Sequence, residues 1–305
     1  MQNIFDGEEH PPVRLRDLFR LDEGDIFKFL IETTGLWGNF DGERCKKCER
    51  GVYRIRKDKS FSSDGGCWRC SQCSHKFSLR NGTWMSGSHL DPLNVLLLTY
   101  MWTHKFGNDT IARELSLSKT TVVDWKNFCR EVCEVIFLEE HNSIGGEGLT
   151  VEIDESKFGK RKYNRGRRIE GQWVFGGICR ETKESFYIPV EKRDKETLLP
   201  LIIKHIKPGS LIISDCWKVY ESIPNLGQNY SYMKVNHSEN FVDPVSGAHT
   251  NQIESQWHTL KRHLLPRSGT QKHLYSSYFA EHCIRKKFLD NARDPYMKFL
   301  QDRKS

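Results

Sequence analysis

The chain has no long hydrophobic run. Its most extended apolar stretch, LNVLLLTYMW at Leu93–Trp102, falls well short of the roughly 20 residues that cross a bilayer. The first ten residues carry Asp6, Glu8 and Glu9, with neither a basic start nor an apolar block, so no secretory leader is expected. Both absences point to an intracellular protein, in the nucleus if the cell is eukaryotic, with no membrane partner. Acidic residues are missing from one segment altogether. Lys157–Arg168 (KFGKRKYNRGRR) holds seven Lys or Arg and no acid, as much positive charge as the whole chain nets at +7. Such a run is ordinarily a solvated loop, but this one starts three residues after an acid singled out below.

What is present is a folded chain. Its 305 residues are 37% hydrophobic and 29% charged, with 17 Phe, 10 Tyr and 8 Trp, enough to bury a core in about two domains.

Five of the ten cysteines fall between Cys45 and Cys73, as CKKC and then CWRCSQC. Two C-x-x-C pairs at this separation resemble a zinc ribbon, in which each pair gives two thiolates to one tetrahedral ion. Disulfides are disfavoured in an intracellular chain. The expected ligands of one structural Zn²⁺ are Cys45, Cys48, Cys70 and Cys73, with Cys67 the alternative to Cys70. Trp68 and Phe77 flank the later pair as aromatic support. Cys129, Cys133, Cys179, Cys216 and Cys283 have no ligand rhythm and read as ordinary thiols.

Residues Val13–Gly35 read as one or two small amphipathic helices. Further on, NDTIARELSLSKTTVVDWKNFCREV gives a helix over Thr110–Leu115, a turn at Ser116–Ser118 and a second helix over Lys119–Val132. Ile111, Leu115, Val122, Val123, Trp125 and Phe128 supply apolar anchors, which leaves Lys119, Thr120, Thr121, Asp124 and Lys126 to solvent or DNA. That is the layout of a DNA-reading helix-turn-helix, although short helical pairs also serve as plain packing units.

From Leu149 the order is three strands, helix, strand, helix, strand, helix. A strand LTVEID ends near Asp154 and a strand LIISD ends at Asp215. A helix near Thr197 takes Pro200 in its first turn, and the last helix lies in HTNQIESQWHTLKR. In that helix Ile253, Trp257, Leu260 and Leu264 form an apolar stripe, while Asn251, Glu254, His258 and Lys261 recur on the other side. This order matches a ribonuclease-H-like α/β core, on which two strands and a late helix bring three carboxylates together. Asp154, Asp215 and Glu254 are the expected trio. Phosphodiester cleavage needs a nucleophile, an in-line path and charge neutralisation, which two Mg²⁺ (or Mn²⁺) ions held by carboxylates supply. Asp154 is expected to bridge the ions, with Asp215 and Glu254 holding one each. Glu152 and Glu155 read as fold or rim residues, and His237, Asn251 and His258 as secondary groups.

The strings VEIDESKFGKRKYNRGRR, WVFGGI, SDCWKVY, VNHSENFVDP and HTNQIESQWHTLKR resemble the Merlin-group DDE transposases of eukaryotes and their bacterial insertion-sequence relatives. CKKC, WRCSQC and ARELSLSKTTVVDWKNFCREVC resemble that family's amino-terminal half, so the resemblance runs from about Leu36 to Phe288. It implies a cut-and-paste transposase whose acidic triad falls on Asp154, Asp215 and Glu254; some relatives carry Asn or His at the third position. The implied partners are double-stranded DNA with terminal inverted repeats and target DNA, handled by a homodimer or larger assembly. Lys157, Lys160, Arg161, Lys162, Arg165, Arg167, Arg168, Lys261 and Arg262 would grip phosphates, with Lys119, Thr120, Thr121 and Lys126 in the helix-turn-helix. The expected domains are an N-terminal helical segment (1–40), a zinc ribbon (41–88), a helix-turn-helix domain (89–145), a catalytic domain (146–290) and a C-terminal tail (291–305). A catalytically silent DNA-binding regulator and a nuclease without strand transfer are the alternatives.

Overall fold

The computed structural model describes residues 11–58, 60–61, 64–83, 85–140, 143–159, 171–235, 249–264 and 271–301. The chain divides into two compact units. One comprises Met1–Val132 with Phe288–Ser305, and the other Cys133–Lys287. No helix among the described residues is long and apolar enough to cross a membrane.

In the first unit α1 (Leu15–Leu18) and α2 (Glu23–Lys28) precede a three-stranded antiparallel sheet, β1 (Tyr53–Lys57), β2 (Gly66–Cys70) and β3 (Lys76–Ser78). Trp68 and Phe77 are cross-strand partners, and both rings meet Phe40 edge-on, at 5.8 and 5.2 Å. Three helices follow: α3 (Pro92–Thr103), α4 (Asn108–Glu114) and α5 (Lys119–Glu140), of which the residues from Cys133 on count in the second unit. Asp91 caps α3 by accepting from the Asn94 amide at 2.9 Å, and Pro92 fits the first helical position, which needs no amide donor. The segment expected to be a tail carries α9 (Pro295–Gln301). Its Tyr296, Phe299 and Leu300 are buried, and Tyr296 donates to the Leu96 carbonyl of α3 at 3.1 Å.

Helices α4 and α5 flank a short turn, as the pattern indicates, with Ser118 capping α5 by accepting from the Thr121 amide at 3.0 Å. Ile111, Leu115, Val122 and Trp125 are buried, but Val123 and Phe128 are exposed. The reason is angular. Val123 follows Val122 and is turned about 100° from it, off the packed face.

The second unit is built on a five-stranded sheet ordered β6-β5-β4-β7-β8. Its strands are β4 (Thr150–Phe158), β5 (Gln172–Cys179), β6 (Ser185–Val190), β7 (Leu211–Asp215) and β8 (Ser231–Val235). β5 runs antiparallel to β4 and β6, while β7 and β8 run parallel to β4. In chain order this is 3-2-1-4-5 with the second strand reversed, the ribonuclease-H-like arrangement that the order of elements anticipates. Helix α6 (Lys195–His205) covers one face, where Leu198 and Ile202 join Val151, Ile153, Phe175 and Ile212 in a core. Helices α7 (Asn251–Leu264) and α8 (Tyr275–Ile284) cover the other, where Ile253, Trp257, Leu260 and Phe279 pack on Val174, Ile178 and Tyr187.

Two boundaries differ from the sequence expectation. β4 does not end at Asp154. It continues to Phe158 because β5 keeps pairing with it that far, which places Asp154 within the strand and Lys157 in it as well. Helix α6 starts at Lys195, since Asp194 caps it by accepting from the Thr197 amide at 3.0 Å; Pro200 is therefore inside the helix, not in its first turn.

Candidate active site and metal centre

The cysteine site is assembled almost entirely by local turns. In the first knuckle the Cys45 amide donates to the Gly51 carbonyl at 2.8 Å, and Glu49 takes a positive φ of 58° to close the loop. The second repeats the device: the Cys70 amide donates to the His75 carbonyl at 2.8 Å, and Ser74 has φ 57°. Gly51 is required by the fit between them, since a Cβ there would stand 2.5 Å from the Cys70 sulfur.

The sulfurs of Cys45, Cys48, Cys70 and Cys73 lie within 4.8 Å of one another, with Cys45–Cys73 at 3.6 Å and Cys48–Cys70 at 3.7 Å. A tetrahedron with metal–sulfur bonds of about 2.3 Å has edges of about 3.8 Å, so the four donors fit such an ion. Amides of Lys47 and Gln72 point at the Cys45 and Cys70 sulfurs, at 3.4 and 3.3 Å. Burial raises the Cys45 thiol, but hydrogen bonds from Tyr53 and nearby amides outweigh it and bring it down to about 5. The His75 amide lowers Cys73, yet burial and the three neighbouring sulfurs together push it up to about 11. Four sulfurs this close cannot all carry charge without a cation among them. Cys67 is outside the cluster: it is three places before Cys70 along β2 and faces the other way, fully buried.

The carboxylates come together through sheet register. β4 and β7 pair in parallel as Thr150–Leu211, Val151–Ile212 and Glu152–Ile213; the same offset carried two places further matches Asp154 with Asp215, whose charge acts on Asp154. Both then face the side covered by α7, as does Gly176, the partner of Asp154 on β5. On α7 the apolar stripe Ile253, Trp257, Leu260 and Leu264 is buried, while Glu254 is exposed on the polar side. Glu254 accepts from the Thr250 hydroxyl at 3.3 Å. The other two charges act on Asp154. Burial first, then the negative charges of Asp215 and Glu254, push the Asp154 carboxyl up to about 6 against hydrogen bonds from the Glu155 amide and Trp257. Burial, with the charges of Asp154 and Asp215, pushes the neighbouring Glu155 up to about 8, and Arg193, 3.9 Å away, offsets only part of this. A half-buried carboxylate with two more beside it is a donor set for hard divalent cations.

Three features here escape the sequence pattern. Trp257 counts as a core residue by spacing, yet its indole nitrogen donates to Asp154 Oδ2 at 2.9 Å. Gly176 makes the room, since a Cβ on it would stand 2.5 Å from the indole ring. Lys261, one further turn along α7, donates to Ser156 on β4 at 2.6 Å, which brings its charge to the carboxylate side of the helix. Glu152 is the third: fully buried, it binds Arg180 and the first amides of α7.

The remaining expected residues are scattered. Asn251, His258 and Arg262 are exposed on α7. On α5, Lys119 is exposed and paired with Asp109 at 2.7 Å, Thr120 is exposed, Thr121 is half-buried, and Lys126 donates to the Phe106 carbonyl at 2.8 Å. Lys157 lies on β4, its ammonium 5.4 Å from the Trp173 ring centre. Lys160, Arg161, Lys162, Arg165, Arg167, Arg168 and His237 lie outside the described residues.

Over 96 residues, 32% of this chain and 75% of the relative, the sequence is 28% identical to an uncharacterized transposase-like protein of Haemophilus influenzae. Among solved structures, the HTLV-2 integrase catalytic core domain in complex with magnesium aligns over 54% of this chain and 100% of its own, at 9% identity and a TM-score of 0.30. The simian T-cell lymphotropic virus intasome, in complex with the PP2A regulatory subunit B56 gamma, aligns over 68% and 74%, at 10% identity and a TM-score of 0.32. Residues 144–283, which contain Asp154, Asp215 and Glu254, match the family model of the ISXO2-like transposase domain.

Proposed function

We propose that the chain is a DDE transposase of the Merlin group that binds terminal inverted repeats, cleaves DNA strands and joins the freed 3' ends to target DNA. One observation carries the reading: Asp154 and Asp215 stand level on adjacent parallel strands, on the face from which α7 presents Glu254. When bound, two Mg²⁺ or Mn²⁺ ions supply an acidified attacking water and neutralise charge at the phosphate. Asp154, Asp215 and Glu254 would hold them. The Trp257 indole keeps Asp154 Oδ2 engaged and so fixes the plane of its carboxylate. Lys261 places positive charge beside the carboxylates, where a substrate phosphate needs it.

The four-cysteine cluster would hold one structural Zn²⁺, all of whose coordination positions are filled by protein. Lys119, Thr120 and Thr121 at the start of α5, with the basic segment after β4, are the proposed DNA contacts, and Arg262 adds a phosphate grip. Holding two transposon ends calls for a homodimer or larger assembly. In a eukaryotic cell the site of action would be the nucleus.

The test is a donor duplex carrying the element's own inverted repeats, incubated with the purified chain and Mg²⁺. Expected are nicks at the repeat ends and joined products, both absent from Asp154→Asn, with binding that weakens steeply between about 50 and 200 mM salt. Full cleavage by Asp154→Asn would overturn the triad. Salt-sensitive binding without cleavage by the wild type would indicate a silent DNA-binding regulator, and cleavage without joining a plain nuclease.

A further inference from the structure

Helix α7 is fixed to β4 on both sides of Glu254. Three residues after Glu254, the Trp257 indole reaches Asp154. Immediately before it, the amides of Gln252 and Ile253 donate to Glu152 Oε2 at 2.9 and 3.0 Å. The opposite oxygen of Glu152 accepts from Arg180 Nε at 2.6 Å, and the Arg180 guanidinium also donates to the His249 carbonyl, in the segment leading into the helix. His249 Nδ1 lies 3.4 Å from Glu152 Oε1. Glu152 is completely buried.

The first amides of a helix lack partners within it and are ordinarily capped by a side chain just upstream. Here the acceptor comes from a strand 100 residues earlier in the chain. An apolar contact would hold α7 on the sheet just as firmly, because a buried ion pair gives little net stability over well-packed hydrophobic groups. It would not set the helix's rotation or its position along the strand. A carboxylate that binds two consecutive amides and a guanidinium does both. Glu152 is two places before Asp154 on the same face of β4, so one strand segment carries a proposed metal ligand and the anchor for the helix that presents another.

We propose that Glu152, with Arg180, is a positioning residue that sets Glu254 against Asp154 and so sets the affinity of the carboxylate site for divalent metal. This rests on the transposase reading above for the role of the metal, but the placement can be measured without cleavage. In Glu152→Gln the side chain keeps its shape but offers a single carbonyl oxygen, and so cannot serve both Arg180 and the α7 amides. Mn²⁺ binding to the purified full chain, followed by electron paramagnetic resonance, should weaken about tenfold or more, and the Mg²⁺ concentration needed for cleavage should rise by a similar factor. DNA binding without metal should match wild type. Arg180→Lys, which keeps the charge but not the forked geometry, should shift metal affinity in the same direction and serves if Glu152→Gln fails to fold.

Leu260→Val, a core change on the same helix, provides the control for stability alone and should leave Mn²⁺ affinity unchanged. Wild-type Mn²⁺ affinity in folded Glu152→Gln or Arg180→Lys would overturn the proposal, as would an equal loss in Leu260→Val. A wild-type chain that binds Mn²⁺ but never cleaves DNA would instead count against the transposase reading, while the Mn²⁺ comparison would still decide the role of Glu152.

Discussion

The two sites of this chain are built on opposite plans. The four cysteines lie within a short stretch of sequence, are shaped by turns that repeat one geometry, and form a donor set that leaves no open position. The three acids come from two strands and a late helix, and Asp154 stands where burial and the charges of the other two oppose its ionisation. The first is a site that stabilises the fold around it. The second costs the metal-free fold stability, because Asp154 is held up to about 6 by burial and neighbouring charge.

The sharpest way to break this contrast is to remove a cysteine. Cys48→Ser or Cys70→Ser should lose the bound zinc and the cooperative melting of the ribbon, since structural zinc contributes about 10 to 16 kcal/mol in small metal-folded domains. Cys67→Ser should keep one zinc per chain by elemental analysis and cost about 1 to 2 kcal/mol through a buried hydroxyl. Equal zinc loss in Cys67→Ser would move the ligand set.

The corresponding change in the acidic site should have the reverse profile. Asp154→Asn should lower strand cleavage by about a thousandfold or more in a single-turnover assay while melting at the same or a higher temperature than wild type without metal. A collapse of the fold would show that Asp154 serves stability first. Gly176→Ala tests the support beneath it. The added methyl would meet the Trp257 ring, and the overpacking should cost about 1 to 3 kcal/mol in denaturant unfolding and weaken cleavage through displacement of the indole from Asp154.

The smallest expected effect is on pH dependence. Asp154, up to about 6, and Glu155, up to about 8, both bind protons more tightly folded than unfolded. The folded state therefore holds the extra protons, and metal-free stability should fall as pH rises from about 4.5 to about 8. Melting temperature measured with chelator across that window should drop by a few degrees, and saturating Mg²⁺ should remove most of the slope. A cysteine site has no such signature once zinc is bound. A flat metal-free profile would mean that the acids are not crowded.

The same contrast explains what the sequence discloses. Ligand spacing in the cysteine pairs is a property of a few adjacent residues, so Cys45, Cys48, Cys70 and Cys73 are legible without a fold, and only the choice between Cys67 and Cys70 needs the alternation of β2. Asp154, Asp215 and Glu254 are legible as a trio because strands and an amphipathic helix announce themselves by period. Their surroundings are not. The ESKF segment lies beyond the strand end that the pattern sets near Asp154, and only pairing with β5 keeps it in β4. Val123 and Phe128 read as anchors because apolar residues alone do not state which face a partner covers. The bonds from the Ile253 amide to Glu152 and from the Trp257 indole to Asp154 depend on the register of a helix against a strand some hundred residues away, which no local pattern encodes.

The most direct test of the carboxylate site is anomalous diffraction from crystals of the chain soaked in Mn²⁺. Two peaks about 3.5 to 4 Å apart, with Asp154 between them and Asp215 and Glu254 on either side, are the expected result. Peaks bound elsewhere, or none among these three residues at saturating Mn²⁺, would contradict the account.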